Sequence, residues 1–205
     1  MSTARVFILS PARVDGERGK LLLNARAEFP LAAALRTAEG AAIGDVFTFL
    51  SGLYFRGKRA YGQAFGVAPS GVKAVHVMTT HSGLVTLDQR ITRDELASFA
   101  TVDLGVPGDA FRTPLLRDAR ALGAALGGEA QVVLLGSIAT GKYVDPLLSV
   151  FGDRLMFPES FVGRGDMSRG GLLLRAVRAN EELAYAPLAG SERHGRRPPK
   201  LVRLK

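Results

Sequence analysis

The sequence predicts an α/β protein, a three-layer sandwich with a mostly parallel central sheet. Short apolar runs of strand length alternate with segments of helical periodicity over most of the chain. The apolar run 132–135 breaks at Gly136, crosses a loop of small residues and enters a segment whose apolar residues Tyr143, Leu147, Leu148 and Phe151 recur at helical spacing. Thr92 followed three residues later by Glu95 spells a capping box at the start of a further helix.

Taken in order, residues 5–9 (Arg-Val-Phe-Ile-Leu) read as a buried first strand ended by Ser10-Pro11. A polar loop at 15–19 leads to a helical stretch from about Leu21, and Pro30 either interrupts it or starts a second helix through Arg36. Residues 40–44 read as a connector. The longest helical candidate is 45–65, with Asp45 as its N-cap and one apolar face running through Phe49, Leu53, Tyr61 and Phe65. Its basic cluster Arg56, Lys58 and Arg59 reads as a solvated face. Residues 72–78 form a second strand containing His76, 79–90 a loop, and Thr113-Pro114 the cap of a helix ending at Gly127-Gly128. Residues 154–157 are a short strand, the glycine-rich segment 163–171 a loop, 172–177 an apolar helix, and 183–188 an edge strand marked by Pro187.

A chain of 205 residues, 47% hydrophobic and 22% charged, suits one domain, here placed at 1–189 and followed by a basic tail at 190–205. There are no cysteines, which excludes disulfides, thiol catalysis and Cys-ligated metal. The three histidines lack metal-binding spacing, and neither a metal site nor a cofactor is expected. The start, Met1 to Arg5, leads into an apolar run of only four residues, Val6 to Leu9, too few for a signal-peptide core, and no window reaches membrane-spanning length. A cytoplasmic protein with no membrane partner is the expectation. The net charge of +8 points to polyanionic partners. Arg193, Arg196, Arg197, Lys200, Arg203 and Lys205 carry part of it without an intervening acid, which serves either solubility or nucleic-acid contact.

Three segments carry candidate chemistry. Gly136 to Lys142 spells G-x-x-x-x-G-K, but Tyr143 stands where a magnesium-binding Ser or Thr belongs. Nucleotide-triphosphate hydrolysis is therefore disfavoured, while Gly136, Ser137, Lys142 and Tyr143 remain candidates for holding a phosphate. In the second segment, Arg164 and Arg169 offer planar forks for phosphate among four glycines. Asp166 there is either a helix cap or a holder of a ligand hydroxyl or water. The third segment places His81 after a strand, as a general base, a general acid, a stacking residue or a plain turn histidine, with Asp88 in the same loop to orient it. Asp15 is a further acid–base candidate, and Arg196, Arg197 and Lys200 complete the phosphate-contacting set.

Phe7-Ile8-Leu9-Ser10, Ala60-Tyr61, the run from Val77 to Val85 with Asp88 and Ile91, and the Gly136 to Tyr143 corner together resemble a group of uncharacterised bacterial proteins. That group and the peroxide-stress proteins near it are distantly similar to the uracil-DNA-glycosylase α/β sandwich. The resemblance spans roughly residues 5–175. Two departures stand out: Met78-Thr79-Thr80 replaces the relatives' Ser-Ala-Lys, and no Gly-Gln-Asp-Pro-Tyr-like catalytic loop is present. The resemblance implies a glycosylase-like sheet and a nucleic-acid-associated protein, DNA favoured, that hydrolyses or recognises a modified nucleoside. The alternative is a small-molecule enzyme that binds a phosphorylated metabolite or nucleotide.

Overall fold

A computed structural model describes residues 4–102 and 108–201. The first strand, β1 (Arg5–Leu9), is followed by α1 (Glu17–Leu23), α2 (Pro30–Leu35), β2 (Ala41–Ala42), α3 (Ile43–Ser51), α4 (Leu53–Phe65) and β3 (Val75–Met78). Then come β4 (Leu84–Thr86), β5 (Arg90–Ile91), α5 (Arg93–Phe99), α6 (Asp109–Leu126), β6 (Gln131–Leu135), α7 (Gly141–Phe151), β7 (Leu155–Pro158), α8 (Asp166–Ala179) and β8 (Tyr185–Pro187).

Six strands form the main sheet in the order β4-β3-β1-β6-β7-β8. The inner four are parallel and both edge strands are antiparallel to their neighbours. Val6 to Leu9 and Val132 to Leu135 are wholly buried, as continuous apolar runs must be where helices cover both faces. The expected α/β architecture with a mostly parallel sheet is present. Helix α4 packs against α8, and α6 against α7. From β1 the chain crosses to β3 on one side, and from β6 it crosses to β7 on the other. Right-handed crossovers in opposite directions put α4 and α7 on opposite faces.

Several boundaries differ from the sequence reading. The expected helix at 45–65 is two helices, broken at Gly52 (φ +57°), a conformation in which L side chains are strained. Asp45 lies in the first turn of α3, where its carboxylate pairs with Arg59 at 2.5 Å, and is not the cap. The segments read as a connector (40–44) and a loop (79–90) contain β2, β4 and the first residue of β5, short pieces whose strand identity comes from pairing with distant partners. Helix α6 starts at Asp109, so Pro114 lies inside it and does not cap it. Helix α8 starts at Asp166 and absorbs most of the glycine-rich segment read as a loop. The Thr92–Glu95 capping box forms as expected, and β8 with Pro187 is an edge strand.

The glycines of α4 and α8 serve the crossing of these two helices. A Cβ on Gly57 would stand 2.7 Å from the Gly170 carbonyl oxygen, and one on Gly170 would stand 2.8 Å from the Leu53 carbonyl oxygen and the Tyr54 Cα. The obstacles are backbone and cannot rotate away. Gly57→Ala should therefore cost about 1–3 kcal/mol through overpacking, read as a lowered urea midpoint with unchanged m-value. An unaltered midpoint would show that the helices are not this close.

Candidate functional site

The loops after β1, β3 and β6 leave the sheet at the carboxyl ends of parallel strands. The connections of β1 and β6 diverge there, which is where open α/β sheets form ligand crevices. A cleft of about 540 Å³ opens at this edge, lined among others by Pro11, Arg13, Asp15, Thr80, Phe99, Lys142 and Tyr143. Arg13 holds Asp15 through two hydrogen bonds of 2.7 and 2.9 Å, and this contact keeps the Asp15 carboxyl below its ordinary range. Lys142 places its Nζ 4.8 Å from the centre of the Tyr143 ring. Burial pushes the Tyr143 hydroxyl up to about 12, with the charge of Asp166 adding to it.

Behind this wall lies a cluster of buried polar residues, Ser10, Lys58, Thr80 and Arg169. Lys58, expected on a solvated face, is only 1% exposed. Its Nζ donates to the Ser10 carbonyl at 2.7 Å and to Ser10 Oγ at 3.0 Å, and sits 4.6 Å from the Tyr54 ring centre and 4.8 Å from that of Phe55. Loss of water pulls its pKa down to about 7, opposed only by the field of Asp166. The Tyr54 hydroxyl is buried with no hydrogen bond of good geometry, and burial pushes its pKa upward against the pull of the nearby Arg169. The buried Thr80 hydroxyl is likewise without a partner.

Arg169, expected to hold phosphate, is itself buried and tied to backbone. It donates to the Phe161 carbonyl at 3.1 and 3.3 Å and to the Gly136 carbonyl at 3.5 Å, and so joins the exits of β7 and β6. Gly136 has no room for a side chain, since a Cβ would meet that of Ser10 at 2.8 Å. Ser137 follows it, half-buried in the same exit loop. Asp166, in the first turn of α8, is largely exposed and 3.8 Å from Arg169. Arg164 donates to the carbonyls of Ser160 and Pro199 and to Ser168 Oγ. The segment expected to be basic tail thus lies against the body as far as residue 201, and Arg193 reaches Asp145 of α7 at 3.7 Å. Arg196, Arg197 and Lys200 are exposed along this path, while Arg203 and Lys205 fall outside the described residues.

His81 and Asp88 do not form the pair proposed for them. His81 faces a separate cavity of about 100 Å³ and shares its ring nitrogens between Ser98 Oγ at 2.8 Å and Ser82 Oγ at 3.0 Å. Asp88 pairs with Lys73 at 3.3 Å beyond the amino end of β3, because β4 runs back along that strand. Residues of the Gly-Leu loop also have structural tasks. Gly83 takes φ +76°, and the Leu84 N–H donates to Asp118. Tyr61 bridges to the Tyr185 hydroxyl at 2.6 Å and accepts from the Leu183 N–H, which anchors the segment entering β8. Among the described residues no cluster of His, Asp and Glu could hold a metal ion, and no helix is long and apolar enough to cross a membrane.

The buried lysine makes stability depend on pH in a defined direction. Unfolded, Lys58 titrates near the ordinary lysine value of about 10.4; folded, it titrates at about 7. Between these values the unfolded chain binds a proton that the folded chain does not, so stability rises with pH, by up to about 1.4 kcal/mol per pH unit. Below pH 7 the full penalty of burying the charge is present. Denaturation of the wild type against Lys58→Met from pH 6.5 to 9.5 should show the difference growing in favour of the wild type. A constant difference would contradict this. Against protein-family models, curated proteins and solved structures, the chain shows no match.

Proposed function

We propose that this protein binds nucleic acid along the carboxyl-terminal rim of its sheet and admits one nucleoside unit to the cleft, on a fold like that of uracil-DNA glycosylases. The observation that carries this reading is the cleft itself. At about 540 Å³ it falls within the range of small-ligand pockets and lies at the divergence of the β1 and β6 connections. Its mouth carries Arg13 and Lys142, and residues 193–200 run past the starts of α7 and α8, adding Arg196, Arg197 and Lys200 along the same rim. Such cations hold phosphates without reading sequence. An extruded base would stack on Tyr143 or Phe99. In a glycosylase-like hydrolysis Asp15, which lines the cleft and is kept ionised by Arg13, would accept the proton of the attacking water.

A second reading, an enzyme acting on a phosphorylated metabolite or nucleotide, is favoured by the tying of Arg164 and Arg169 to backbone, which removes two cations from an extended track. Fluorescence anisotropy with single- and double-stranded DNA and RNA at low salt separates the two. Nucleic-acid binding should weaken several-fold in Lys142→Ala, and removal of residues 195–205 should flatten the slope of log K against log salt by about 0.7–0.9 for each phosphate no longer neutralised. Absence of binding at low salt overturns the first reading. Affinity for a nucleotide that survives the same truncation unchanged supports the second.

A further inference from the structure

We propose that Lys58, Tyr54 and Thr80 form an inner subsite for a compact oxyanion, a phosphate group above all, behind the wall of the cleft. A neutral lysine amine has two N–H bonds, and Ser10 accepts both through its carbonyl and its hydroxyl. The third position of Nζ, once protonated, faces aromatic rings and no acceptor among the described residues. Tyr54 and Thr80, each 5% exposed, bury hydroxyls that make no hydrogen bond of good geometry, the Arg169 guanidinium being the polar group near that of Tyr54. Buried donors in folded proteins are almost always matched. Two hydroxyls without a hydrogen bond of good geometry, beside an amine whose third position meets only aromatic rings, and with Thr80 lining the open cleft, call for an acceptor from outside.

The groups that act on Lys58 are few. Among the described residues the charged group that acts on it is Asp166 of α8, which favours its charged form; Arg169 of α8 pulls instead on Tyr54, and Tyr54 of α4 and Tyr143 of α7 are held neutral by burial. No described carboxylate approaches Lys58 within ion-pair distance, so the charged amine lacks a buried counter-ion that a phosphate would supply. Entry of the anion therefore brings a proton with it. At pH 8 a lysine that titrates at about 7 is largely neutral when free and becomes charged beside a phosphate. The aromatic rings of Tyr54 and Phe55 under Nζ favour the same charged form.

This subsite rests on the reading of the cleft as a site for a phosphate-bearing ligand, but not on that ligand being nucleic acid. Titration calorimetry of the full chain at pH 8 tests it, with adenosine 5′-monophosphate and inorganic phosphate as probes in two buffers of different ionisation enthalpy. The expected result is binding with uptake of about 0.9 proton, as a group one pH unit below ambient pH becomes fully charged. Lys58→Met should abolish the uptake and weaken binding at least about tenfold, and the near-isosteric Tyr54→Phe should weaken it by about threefold to tenfold. Phosphate binding as tightly as the nucleotide assigns the site to the free ion, and nucleotide binding alone assigns it to a phosphate ester; both uphold the oxyanion chemistry. No binding of either probe, binding without proton uptake, or binding that neither substitution weakens overturns the proposal. DNA or RNA binding by anisotropy without proton uptake leaves the rim reading standing and removes the subsite; nucleotide binding with proton uptake and no nucleic-acid binding does the reverse.

Discussion

The close crossing of α4 and α8 is the constraint on which the centre of this protein depends. Gly57 and Gly170 let two backbones approach to distances that any side chain would forbid, and the residues beside them on the same helices inherit that closeness. Lys58 follows Gly57 and is carried over the end of β1, where Ser10 receives it. Arg169 precedes Gly170 and is carried over the ends of β6 and β7. Two cations are thus buried at the carboxyl edge of the sheet, next to the cleft. Burial of this kind is costly without counter-charge, and strongly perturbed groups beside clefts cluster at functional sites.

The two cations have separate roles. Arg169 spends its fork on backbone carbonyls and acts as a clasp between strand exits, a role suited to the planar, multi-donor guanidinium. Lys58 is a point donor with a proton it gives up near pH 7, so it can respond to what enters the cleft. Asp166 stands at the exposed end of the cluster and supplies the field that both feel. The glycine-rich segment therefore works as helix packing plus a clasp, and the responsive chemistry lies one layer deeper.

The sheet was legible because parallel strands covered on both faces must be apolar throughout, and the runs before Ser10 and Gly136 are. The capping box of α5 was legible because it is local. β2, β4 and β5 were not, since two or three residues become strand only by pairing with partners far along the chain. In the candidate site, Asp15, Lys142 and Tyr143, singled out in the sequence, line the cleft, whereas Lys58 was read as solvated because Arg56 and Arg59 flank it. The cue that marks it is its position: Tyr54, Lys58, Tyr61 and Phe65 recur at steps of four, three and four, so the lysine falls on the apolar stripe of α4. The separation of His81 from Asp88 could not be read, because it follows from β4 folding back along β3.

Following Lys58 itself through its titration tests the account most directly. In protein labelled with ¹³C and ¹⁵N at the lysine side chains, the Lys58 resonance, assigned by its loss in Lys58→Met, is to be followed from pH 6 to 11. The account predicts a midpoint at about 7 in the free protein and a displacement to higher pH when phosphate or a nucleotide is added. A midpoint at the ordinary lysine value, or one that phosphate and nucleotide leave in place, would contradict it.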